Sequence, residues 1–234
     1  MLKKIVFIMI LGFLAGINAH DLVILKSKTN KFEAKFGHTP KFDSYDPKQL
    51  LGATAFDENA NPIKTGINYN FDNNKTPEIL TQKSPTIITA SFSTGNSIQT
   101  NGKRIKNTDK SEIKDIIFAT TKSIKINKTY LSWNPNLIKP VGLKFELIAL
   151  NDPFKAKPGD ILPILVLKDG KILANAEFYT KKDEPKIRSN EFGIALYPIK
   201  QKGLQMITAS FKEQIFEENA NLLNLTTTIA FEIK

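Results

Sequence analysis

The apolar residues of this chain recur in short alternating runs closed by turn signals, and not at helical spacing. Ile164-Leu165-Val166-Leu167, Ile194-Ala195-Leu196-Tyr197, Ile207-Thr208-Ala209-Ser210-Phe211 and Thr228-Ile229-Ala230-Phe231-Glu232-Ile233 read as strands rich in β-branched and aromatic residues. Pro158-Gly159-Asp160, Asp169-Gly170, Gly203 and the stretch from Asn190 to Gly193 separate them as turns. Ser111 to Phe118, with Ser111 as cap, is the one segment expected to form a short helix. Strands at this spacing predict an all-β chain of β-sandwiches.

A length of 234 residues suffices for one large domain or two of about 100 residues, each with its own core. The pentapeptide Ile88-Thr89-Ala90-Ser91-Phe92 recurs identically at 207–211, each copy preceded by an apolar strand, a polar turn and a small apolar step. This echo predicts two related sandwiches in tandem, 20–135 and 141–234, joined near Asn134-Pro135-Asn136-Leu137-Ile138-Lys139-Pro140.

The first nineteen residues are expected to be a cleaved signal peptide. Lys3 and Lys4 form its basic start, Ile5 to Ile17 its apolar run, and Ile17-Asn18-Ala19 its cleavage tripeptide. That run is shorter than the about 20 residues a membrane-spanning helix needs, so the mature chain is expected to carry no transmembrane segment and to reside in the periplasm, beginning at His20. The formal charge of +10 comes from scattered lysines without a basic run or interleaved aromatics, a pattern that argues against a nucleic-acid partner.

Several chemistries are excluded by residue type. The chain has no Cys, hence no disulfide framework, thiol catalysis or Cys-ligated metal. Asp57-x-Asn59-x-Asn61 begins like a calcium loop, but Pro62 stands where the turn glycine belongs and Asn68 where the bidentate acid belongs. Gly95 to Gly102-Lys103 is too long for a phosphate loop, and Arg104 follows instead of Ser or Thr. There is no G-x-S-x-G elbow, and Glu217 and Glu218, as strand neighbours, would face opposite ways. These absences lead us to expect a non-enzyme.

Two histidines remain, His20 and His38. After cleavage, His20 offers an α-amine and an imidazole to one metal ion, and His38, in Phe36-Gly37-His38-Thr39-Pro40, offers a third nitrogen. Such donors suit Ni(II), Co(II), Cu(II) or Zn(II), and not Mg(II) or Ca(II). Asp21, Asp43, Tyr45 and Asp46 are the nearby oxygen candidates.

Ala19-His20-Asp21-Leu22, Phe36-Gly37-His38, the entry Asn151 to Asp160, the strand–turn–strand unit Leu165 to Ala176 and the closing strands Gly203 to Ser210 and Thr228 to Glu232 resemble a periplasmic nickel-uptake transport component family (NikK-like, a domain-of-unknown-function family). The resemblance spans nearly all of the mature chain. It implies immunoglobulin-like or prealbumin-like sandwiches, Ni(II) or Co(II) as cargo, and an inner-membrane metal transporter as partner. Two other classes stay open: a copper-binding histidine-brace protein, carrier or oxidative enzyme, and a metal-free envelope interaction module. Of three Asn-x-Ser/Thr sites, at Asn74, Asn127 and Asn224, Asn74 alone follows an acid by two residues (Asp72) and is the one expected to accept a glycan if the source has the enzymes; the other two read as strand.

Overall fold

The computed structural model describes residues 20–37, 41–71, 76–108, 110–181 and 183–234. The expected signal peptide, His38 and Asn74 lie outside the described residues. The first half forms β1 (Asp21–Lys28), β2 (Lys31–Gly37), β3 (Phe42–Asp43), β4 (Leu50–Phe56), β5 (Pro62–Ile63), β6 (Thr65–Asn68), β7 (Glu78–Thr81), β8 (Ile87–Thr100), β9 (Arg104–Lys106) and β10 (Ile117–Tyr130). The second half forms β11 (Phe145–Ala149), β12 (Ile161–Lys168), β13 (Lys171–Ile172), β14 (Glu177–Phe178), β15 (Ile194–Pro198), β16 (Gly203–Glu217) and β17 (Ala220–Ile233).

The all-β expectation holds, and the strands layer as sandwiches. A long middle sheet runs β14-β16-β17-β10-β8-β4-β5, with β9 beside β8. One cover sheet, β1-β2-β7-β6 with β3 on β2, comes from the first half; another, β11-β12-β13 with β15 on β12, comes from the second. Side-chain alternation decides which cover each strand serves. In β8, Ile88, Ala90 and Phe92 join the core with Leu22, Ile24 and Phe32 of the first cover, whereas Ile87 joins the core with Leu147, Leu162 and Ile164 of the second. Successive strand residues point to opposite faces, so the covers lie on opposite faces of the middle sheet.

The repeated pentapeptide sits in β8 and β16 of this same sheet, yet its copies serve different cores. Ile88, Ala90 and Phe92 pack under the first cover, while Ile207, Ala209 and Phe211 pack under the second. The halves meet where β10 pairs in parallel with β17, from Thr121 with Leu222 to Thr129 with Ala230. The segment expected to join two domains contains a 3-10 turn, Pro135–Ile138, capped by Asn134 and anchored by the buried Leu137.

The expected helix over Ser111 to Phe118 does not form. Lys110–Glu112 makes a single 3-10 turn, and Ile117 already begins β10, paired with Thr100 of β8. Ile116-Ile117-Phe118 is a β-branched and aromatic run, and the neighbouring strand captures it as sheet.

Candidate functional site

His20 immediately precedes β1, whose partner β2 sets Asp21 opposite Gly37 and Leu22 opposite Phe36. The residue after His20 is therefore paired with the residue before His38. The chain returns as β3, pairing Phe42 with Gly37 and Asp43 with Phe36. Gly37 permits this return: its φ is +135°, and a Cβ there would lie 3.1 Å from the Asp43 nitrogen and the Phe42 Cα. A side chain at 37 would push β3 outward and carry Asp43 with it.

Asp43 reaches His20 directly, with Oδ2 2.8 Å from the imidazole Nε2 and both side chains 46% exposed. The His20 ring stacks on Phe36 at 5.6 Å between centroids, and Phe36 stacks on Phe92 at 4.7 Å. Tyr45 meets both phenylalanines edge-on. His20 thus caps an aromatic column that descends into the core between the first cover and the middle sheet.

Beneath it, polar side chains of the middle sheet grip β1. Asp21 accepts a hydrogen bond from the Thr208 hydroxyl at 3.1 Å and lies 3.9 Å from the Lys125 ammonium. Burial pushes the Lys125 amine below its ordinary range, partly opposed by the Asp21 carboxylate. Asn127, fully buried, donates to the Leu22 carbonyl at 2.8 Å, and its own oxygen accepts from Thr129 at 2.7 Å. Thr129 Oγ1 accepts from the Ile24 amide at 3.4 Å. These side chains give β1, at the border of its sheet, partners for backbone groups that a neighbouring strand would otherwise supply.

The oxygen candidates separate. Tyr45 donates its hydroxyl proton to the Ala34 carbonyl at 2.6 Å, and burial, aided by the Glu33 carboxylate, raises its pKa well above that of an ordinary phenol. Asp46 accepts from the Lys48 amide at 2.9 Å as the cap of a 3-10 turn. Asp21 is held by Thr208 and Lys125 as above. Asp43 lies against the imidazole. Among the described residues no three His, Cys, Asp or Glu side chains form a metal-holding group, and His38 is not among those residues. Lys125, Asn127 and Thr208 carried no sequence signal as site residues, since Thr208 is 187 positions from its partner Asp21.

A family model described as "Domain of unknown function (DUF4198)" matches residues 17–213. The chain belongs to the DUF4198 family. No curated protein and no solved structure matches it. The DUF4198 match contains the whole His20 neighbourhood on β1, β2 and β3, and ends inside β16, so β17 completes the middle sheet from beyond it. The family description assigns no activity, and it gives nickel uptake no support.

Proposed function

We propose that the chain, cleaved after Ala19 and exported to the periplasm, binds a transition-metal ion at its new N-terminus and presents it to an inner-membrane metal transporter. The α-amine and imidazole of His20 and the imidazole of His38 are the nitrogen donors. The observation that carries this reading is the pairing of Asp21 with Gly37. That pairing sets the residue after His20 opposite the residue before His38. The exposure of His20 suits a site that hands its ion on, and nitrogen-rich donors suit Ni(II) or Co(II) cargo. Cu(II) binds such donors still more tightly, so supply rather than affinity would select nickel.

The test is calorimetry with Ni(II) on protein beginning at His20, on the same protein with a tag before His20, and on His38→Ala. Binding should weaken more than about tenfold when the amine is blocked or His38 is removed, each change deleting one donor. Equal affinity in all three proteins overturns the reading.

A further inference from the structure

We infer that the outer face of the second cover sheet docks a second copy of this chain, the two copies packing face to face about a twofold axis. β12 is apolar on both of its faces from Ile161 to Leu167. Leu162, Ile164 and Val166 point inward and join the core beneath. Ile161, Pro163 and Leu165 alternate with them and so point outward, Pro163 opposite Leu196 and Leu165 opposite Ile194 of β15. An antiparallel sheet with one solvated face normally carries polar residues there, and a strand apolar on both faces is the pattern of one buried on both. Yet Ile161 and Leu196 are each more than half exposed, as are Ile172 of β13 and Phe192, which continue the apolar surface at one end. On β11, Glu146 and Ile148 share the outward register but are already buried, so the uncovered part is β12, β13 and β15.

Size and charge select the occupant. The exposed side chains leave roughly 500–600 Å² of apolar surface on each copy, so pairing would bury on the order of 1,000–1,200 Å², enough for a specific but weak interface. A twofold axis needs one self-complementary patch, and sheet faces of this kind stack about 10 Å apart. The chain as a whole is strongly basic, but the rim of the patch carries both signs: exposed Lys171 and Glu191 adjoin Ile172 and Phe192 at one end, and exposed Asp160 and Lys200 adjoin the Ile161–Pro198 pair at the other. An axis running across the strands lays each end on the opposite end of the partner copy, so cations meet carboxylates. An anionic membrane would meet carboxylates and ammonium groups in equal number, and gains little.

Sedimentation velocity on protein beginning at His20, from micromolar to millimolar concentration, tests this. The parent should pass from monomer to dimer across that range. Leu196→Lys puts an ammonium that must lose its water into the patch, and should weaken pairing more than about tenfold. Its circular dichroism and melting temperature should match the parent's, because Leu196 is exposed. Phe216→Lys, at a fully exposed phenylalanine of β16 outside the patch, should pair as the parent does. A parent that stays monomeric at millimolar concentration, a Leu196→Lys variant that pairs as well as the parent, or a Phe216→Lys variant that no longer pairs overturns the inference. Flotation with vesicles of phosphatidylglycerol and phosphatidylethanolamine covers the alternative: a monomeric parent carried by the vesicles, and released by Leu196→Lys, would give this face to lipid instead and overturn pairing.

Discussion

Lys128 of β10 and Glu146 of β11 meet at 2.7 Å with their side chains 0% and 1% exposed, a full ion pair between the middle sheet and the second cover. Glu146 also accepts from the backbone amides of Val141, Gly142 and Leu143, at 2.9 to 3.2 Å. One carboxylate therefore ends the inter-half segment and anchors it to a strand of the first half. The Lys128 ammonium additionally lies 5.4 Å from the Tyr130 ring centroid.

Breaking this pair should be costly and asymmetric. Lys128→Met leaves a buried carboxylate without its cation and should destabilise by about 3–5 kcal/mol. Glu146→Leu strands the ammonium and also the three backbone donors, so it should cost more. The double variant should stay below the parent, because those donors remain unpaired. Urea unfolding of the four proteins measures this; a double variant as stable as the parent would show that the backbone bonds contribute nothing.

Gly37→Ala should destabilise by about 1–3 kcal/mol, since φ near +135° is a region that side chains scarcely occupy. Its Cβ would also press on β3, so the His20–Asp43 contact should loosen along with the melting temperature. Thermal melts together with His20 ring shifts check both effects, and a variant with unchanged ring shifts would contradict the close approach of β3.

Asn127→Ala should remove the donor to Leu22 and the acceptor for Thr129, at a cost of about 1–3 kcal/mol for buried groups left unpaired. Amides of β1 should then exchange faster than those of β12. Hydrogen exchange read by mass spectrometry separates this local loosening from uniform destabilisation. The burial of Asn127 also closes that sequon to any glycosylating enzyme in the folded state.

Tyr45 makes stability depend on alkaline pH. Its pKa is raised on folding, so the folded state holds the phenolic proton more tightly than the unfolded state does. The contribution is fully present below the unfolded value near 10 and is lost as pH rises above it. Tyr45 should gain phenolate absorbance only as the protein unfolds, and Tyr197, whose pKa burial also raises, should ionise later than an exposed tyrosine. In Tyr45→Phe the late absorbance change should shrink and stability should fall less steeply above pH 10; unchanged curves would contradict the burial of this hydroxyl.

How much of the site was legible beforehand differs residue by residue. His20 stands out because cleavage would give it a second donor, a property of one position in the chain. Asp43 could be placed among four oxygen candidates but not chosen from them. The choice depends on β3 folding back across Gly37, and on Tyr45 and Asp46 finding Ala34 and Lys48 as partners.

What the sequence by itself determined is local. Period-two alternation and turn residues mark the runs that become β12, β15, β16 and β17, because strand formation answers to neighbours one or two positions away. The same local reading failed at Ser111 to Phe118, where β8 captured a run that its own pattern left open. Tertiary structure alone decided which face each strand buries. Ile-Thr-Ala-Ser-Phe is one pattern, yet at 88–92 it turns its apolar residues to the first cover and at 207–211 to the second. That assignment follows from the parallel pairing of β10 with β17 and from which cover sheet reaches each side. The physical reason is that alternation specifies two faces, whereas the identity of each face depends on partners as much as 187 residues away.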